Sequence, residues 1–172
     1  MDGVTAVMEQ LRATCRTKYE EWFPLVEAIQ PPALAAMGQV ATRPGVNFVI
    51  GGYEVGGNGT RDPKLFHLNS WTDFAPTLSD YGWAVDGVAQ YALYLLNRLY
   101  EGDRSVQELT GLAVYTITET ASQDGKVGGP VKVITIRPEE GCRALDTDAV
   151  DEIIRLNEAR SMSLRASFYE RA

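Results

Sequence analysis

Apolar residues return every three or four positions through Val4, Val7, Met8, Leu11, Cys15 and Tyr19, and this spacing predicts an amphipathic helix from near the start to about Trp22, before Pro24. Such a stripe needs a surface to cover. A second, shorter helix is predicted from Pro31-Pro32, where proline suits a first turn, through Leu34, Met37 and Val40 until Arg43-Pro44-Gly45 stops it. The period then changes. The near-continuous apolar run from Val46 to Tyr53 predicts a strand, and Lys64 to Leu68 its return across the Gly56-Gly57-Asn58-Gly59 turn.

From Trp71 to Ala84, aromatic residues broken by Pro76 and Ser79-Asp80 predict two short strands, or one strand and a loop. Val88, Tyr91, Ala92, Leu95, Leu96 and Leu99 then mark an apolar helix, expected to be largely buried and ended at Glu101-Gly102-Asp103. Ser105-Val106-Gln107-Glu108 has the capping-box form, in which serine and glutamate each satisfy an orphan backbone donor of a new helix. Leu109, Leu112, Ala113, Ile117 and Ala121 continue that helix's face. A strand is predicted from Val131 to Ile136, with Cys142 to Leu145 as a short partner. Asp146, Asp148, Asp151 and Glu152 suit the positive N-terminus of a last helix carrying Val150, Ile153 and Ile154. No internal repeat interrupts this order, which suits sheets covered by helices.

Composition narrows the function. A chain of 172 residues is long enough to bury about 70% of its unfolded surface as one domain. Sixteen Lys and Arg against 23 Asp and Glu give a net charge of −7, and the bases are scattered, so no nucleic-acid partner is expected. No signal peptide and no long apolar run is present, so no membrane partner is expected and a cytoplasmic location is. Cys15 and Cys142 lie far apart without metal-ligand spacing, and His67 is the only histidine. No metal and no cofactor is expected.

The segment from Glu119 to Ile136, running from a helix through Asp124-Gly125-Lys126-Val127-Gly128-Gly129 into a β-branched strand, resembles the late catalytic turn of proteasome β-type subunits, threonine peptidases of the N-terminal-nucleophile hydrolase class. Val49-Ile50-Gly51-Gly52-Tyr53 looks like their central strand and its glycine turn, and Tyr91 to Val133 is similar to their third and fourth helices. The resemblance implies an α+β fold, the four-layer αββα sandwich, with residues 1–172 as one proteasome-like domain lacking the first strands. It also implies peptide-bond hydrolysis by the full-length form, a peptide or protein substrate, and assembly into a homo-oligomeric ring. The sheet edge where those first strands belong is expected to be unpaired.

In that family the nucleophile is an N-terminal threonine hydroxyl, which needs a base and an ordered network to lose its proton during attack. Asp124 falls at the family's late aspartate, where it would orient the terminal nucleophile. The same Asp124-Gly125 pair is equally what a plain turn after a helix requires. Two positions depart from the pattern: Asp86 stands in Asp86-Gly87-Val88 where the family has a serine, and Val127 stands for another serine. Lys126 is a further cation in the turn. Met1 has no proton to lose and cannot be the nucleophile, so the chain is expected to be inactive as it stands, as a fragment of a longer hydrolase or a shortened paralogue. The alternative is a non-catalytic structural or assembly subunit. Gly56-Gly57-Asn58-Gly59-Thr60 lacks the lysine and helix of a phosphate loop, and Glu139-Glu140 reads as a solvated turn.

Overall fold

The computed structural model describes residues 3–24 and 44–169, and the helix expected from Pro31 to Val40 lies outside them. The chain divides into two compact units, one ending at Asp86 and the other beginning at Gly87.

The first unit opens with α1, Gly3–Trp22. A hairpin follows, β1 Asn47–Val55 and β2 Arg61–Asn69. Their antiparallel register sets Phe48 opposite Leu68 and Ile50 opposite Phe66. A two-residue β3, Thr77–Leu78, adds to the far side of β2, and within the described residues the outer edge of β1 carries no strand. The return strand is longer than the expected Lys64 to Leu68. It takes in Pro63, which lacks a backbone N–H but lies where β3 does not reach, so no ladder bond on that side is lost. Alternation then decides the core: Met8, Leu68 and Phe74 are buried, and Val4, Leu11, Cys15, Tyr19, Ile50 and Phe66 pack around them. Apart from Val7, which is 55% exposed, the helical stripe read from the sequence is therefore the face α1 lays on the sheet.

After β2 the chain makes a sharp corner. Asn69 caps a single 3-10 turn, Ser70–Thr72, by accepting from the Thr72 amide. Asp73 and Phe74 follow with φ of 52° and 55°, both non-glycine residues in the left-handed region. Phe74 is only 2% exposed. Its ring meets Tyr19 edge-on at 5.4 Å and Phe48 at 6.2 Å.

The second unit contains α2 Gln90–Leu99, α3 Val106–Gln123, the hairpin β4 Ile134–Arg137 with β5 Gly141–Ala144, and α4 Thr147–Tyr169. The capping box forms as expected: Ser105 Oγ accepts from the Glu108 amide at 3.2 Å, and Glu108 Oε2 accepts from the Ser105 amide at 2.9 Å. β4 starts three residues later than Val131, because Gly129, at φ +91°, and Pro130 break the chain direction first. The expected burial of α2 is not observed. Only Ala92 and Leu96 are buried, while Tyr91, Leu93, Tyr94 and Leu99 face solvent. Asn157 of α4 is 5% exposed and donates from Nδ2 to the Gly111 carbonyl of α3 at 3.0 Å, so a satisfied polar contact ties these helices. The described residues thus form a mixed α+β fold with two small antiparallel sheets.

Candidate functional site

α3 ends where the candidate carboxylate begins. Asp124 leaves the helical region, with φ −133° and ψ 111°, while its amide still donates to the Thr120 carbonyl at 2.9 Å. Its side chain is half-buried. Oδ1 accepts from the Lys126 amide at 2.9 Å, and the Asp124 carbonyl accepts from the Val127 amide at 3.0 Å. This aspartate therefore builds the turn with its own side chain, a use that aspartate performs well. One carboxylate oxygen is engaged by the backbone, and an acceptor held in this way has a fixed direction.

Lys126 is exposed beside it and Val127 is half-buried, so Asp124, Lys126 and Val127 share one turn of the second unit. Apart from Cys142, the candidates that follow belong to the first unit. Asp86 Oδ1 accepts from Asn47 Nδ2 at 3.1 Å, ahead of Gly87 at φ +84°. His67 is half-buried in β2, opposite Val49 on one side and Thr77 on the other. Gly56 to Thr60 is a hairpin tip closed by Gly56 N–H donating to the Thr60 carbonyl at 2.8 Å. Cys15 is half-buried and that burial pushes its thiol up, away from the reactive thiolate, whereas Cys142 is exposed on β5. Among the described residues no group of three His, Cys, Asp or Glu is arranged to hold a metal, and no helix is long and apolar enough to cross a membrane.

Two further features of the structure have no signal in the sequence. Thr116 and Thr120 lie one turn apart on α3, both buried, with Thr120 Oγ1 donating to the Thr116 carbonyl at 2.7 Å; Thr116 Oγ1, in a residue 4% exposed, has no hydrogen-bond partner among the described residues. Threonine's β-branched shape let these positions pass as ordinary helix surface. The second is an apolar cleft of 510 Å3 in the first unit, between α1 and the hairpin, lined by Val4, Val7, Met8, Ile50, Tyr53 and Phe66 among others. Lys64 Nζ and Glu54 Oε2, 3.7 Å apart, are its charged members.

No family model matches the chain, and no curated protein matches it. The fold itself is of a proteasome-related kind. A solved structure of an Anbu (Gly-1) mutant from Hyphomicrobium sp. strain MC1 aligns with a TM-score of 0.56 at 21% sequence identity, covering 73% of this chain and 53% of that one. Anbu is an Ntn-hydrolase-like protein related to the proteasome. The chain thus spans about half the length of the protein it matches, and the likeness is one of fold.

Proposed function

We propose that this chain is a subunit of a proteasome-like N-terminal-nucleophile hydrolase, with the four-layer αββα sandwich as its complete architecture and residues 1–172 contributing to one such domain. The observation that carries the reading is the fold likeness to Anbu over 73% of the chain. β1 adds support from its composition. Ile50 faces the α1 cluster, yet Val49 and Val55, which alternation puts on the opposite face, are 41% and 68% exposed. A strand apolar on both faces suits a sheet layered on both sides.

In this reading the full-length form hydrolyses peptide bonds as a threonine-type endopeptidase. Asp124, its Oδ1 fixed by the Lys126 amide, orients the terminal amine and hydroxyl. The exposed apolar residues of α2 are then ring contacts with neighbouring copies. A second reading, a non-catalytic structural or assembly subunit, is favoured by Asp86 and Val127 at the family's serine positions and by the turn-building use of Asp124.

The deciding experiment is the intact mass and N-terminal sequence of the protein purified from its source, with peptide hydrolysis assayed on the same sample. A mature N-terminal Thr, Ser or Cys together with hydrolysis supports the peptidase. An intact, assembled protein that cleaves no peptide establishes the structural reading instead.

A further inference from the structure

The Asp73–Phe74 corner holds two consecutive L-residues where Cβ crowds the carbonyl oxygen, a conformation that persists only where its surroundings over-determine it. Part of that determination is local: the Phe74 amide donates to the Asn69 carbonyl at 2.8 Å, and Asn69 Oδ1 holds the Thr72 amide at 3.0 Å. The rest comes from α1. Arg12 Nε donates to the Asp73 carbonyl at 3.1 Å and Arg12 Nη2 to Asp73 Oδ2 at 3.2 Å, with Arg16 Nη1 reaching the same Oδ2 at 3.4 Å. The carbonyl Arg12 reaches belongs to the peptide unit joining the two left-handed residues, so its direction is fixed by their backbone angles. Returning that unit to the right-handed region would swing the oxygen off Arg12 and draw the Phe74 ring away from Tyr19. Conversely, lifting α1 removes both the arginine donors and the Tyr19 ring.

α1 also supplies Val4, Val7 and Met8 to one wall of the 510 Å3 cleft, and Met8 is buried with Phe74 in one cluster. We propose that the Asp73–Phe74 turn is a latch: its left-handed state and the docking of α1 on the sheet are one two-state equilibrium, and release opens the apolar cleft between α1 and the β1–β2 hairpin.

Reciprocity tests this, because two elements in one equilibrium respond together whichever is disturbed. Amide hydrogen exchange is followed residue by residue on the full chain in Arg12→Ala, a lesion on the helix side, and in Asn69→Ala, a lesion on the turn side in a residue that caps the 3-10 turn. Each is expected to speed exchange roughly fivefold at the Phe74 and Ala75 amides and, in parallel, along α1 from Met8 to Arg16. The hairpin-tip amides of Gly56 and Gly59 should be unchanged. Fluorescence of the apolar dye ANS should rise in both variants. Loosening confined to the side that carries the lesion, or no gain in dye binding, overturns the latch. Should Arg12→Ala accumulate poorly, Arg12→Lys, which keeps the charge but loses the planar fork, gives the same readings with smaller changes.

Discussion

Asp124 Oδ1 accepts a hydrogen bond from the Lys126 amide at 2.9 Å, so the carboxylate proposed to orient a nucleophile also closes the turn that ends α3. The two roles separate by substitution. Asparagine keeps an acceptor oxygen for the Lys126 amide, whereas alanine leaves that amide without its side-chain partner. Asp124→Asn is expected to hold thermal stability within about 0.5 kcal/mol, while Asp124→Ala costs about 1 kcal/mol. In the protein purified from its source both abolish peptide hydrolysis if the carboxylate charge acts on the terminal amine. Full hydrolysis by Asp124→Asn would leave the residue a turn former.

A second prediction concerns Asn157 and Gly111. Asn157→Leu removes the Asn157–Gly111 contact between α3 and α4, while the Gly111 carbonyl keeps its bond within the helix, so the expected cost is about 1 kcal/mol. Gly111→Ala should act in the opposite sense. A Cβ there meets nothing within 4 Å, and alanine in a helix interior is favoured over glycine by about 1 kcal/mol, so the midpoint of thermal unfolding should rise. A fall would mean that α4 must pack closer to Gly111 than the geometry indicates.

These examples also divide what the sequence makes legible from what it hides. The start of α3 is readable because Ser105 and Glu108 satisfy each other's backbone within a single turn, and the β1–β2 hairpin because two apolar stretches flank a glycine-rich tip. Asp124 is readable as a turn residue for the same local reason. The left-handed Asp73–Phe74 corner is invisible in Thr72-Asp73-Phe74-Ala75, since the groups that hold it include Arg12, 61 positions away. The exposure of α2 is hidden too. Tyr91, Leu93, Tyr94 and Leu99 are apolar enough to suggest burial, and composition does not say whether the covering surface belongs to the same chain. The chemistry of the candidate site is least legible, because Asp124 acquires a catalytic role only from the groups that face it.

The proposed ring gives a third prediction. Tyr94, 62% exposed on α2, is a large aromatic side chain of the kind that anchors interfaces. The native protein should have a mass in light scattering several-fold above the 18.9 kDa of one chain. Tyr94→Glu should lower that mass while leaving the circular-dichroism spectrum unchanged, because the residue is largely exposed. A variant that assembles as before would remove α2 from the ring contacts.

The last prediction follows from Glu108. Its carboxylate accepts from the Ser105 hydroxyl at 2.7 Å and from the Ser105 amide at 2.9 Å, with Arg104 Nη1 3.6 Å from its other oxygen. The hydroxyl bond is the largest cause, the amide bond the next, and together they hold the group below the ordinary glutamate value. A carboxyl whose folded pKa is lowered stabilises the folded state fully above its unfolded value, about 4.3, and that stabilisation is lost as the pH falls through the lower folded value. Exchange at the first amides of α3, Glu108 above all, should therefore quicken as the pH falls below about 4, relative to amides in the middle of the helix. Glu108→Gln keeps an acceptor for the Ser105 amide but has no proton to take up, so it should show no such step. An acid step of equal size in Glu108→Gln would assign it to other carboxylates and leave the capping box insensitive to pH.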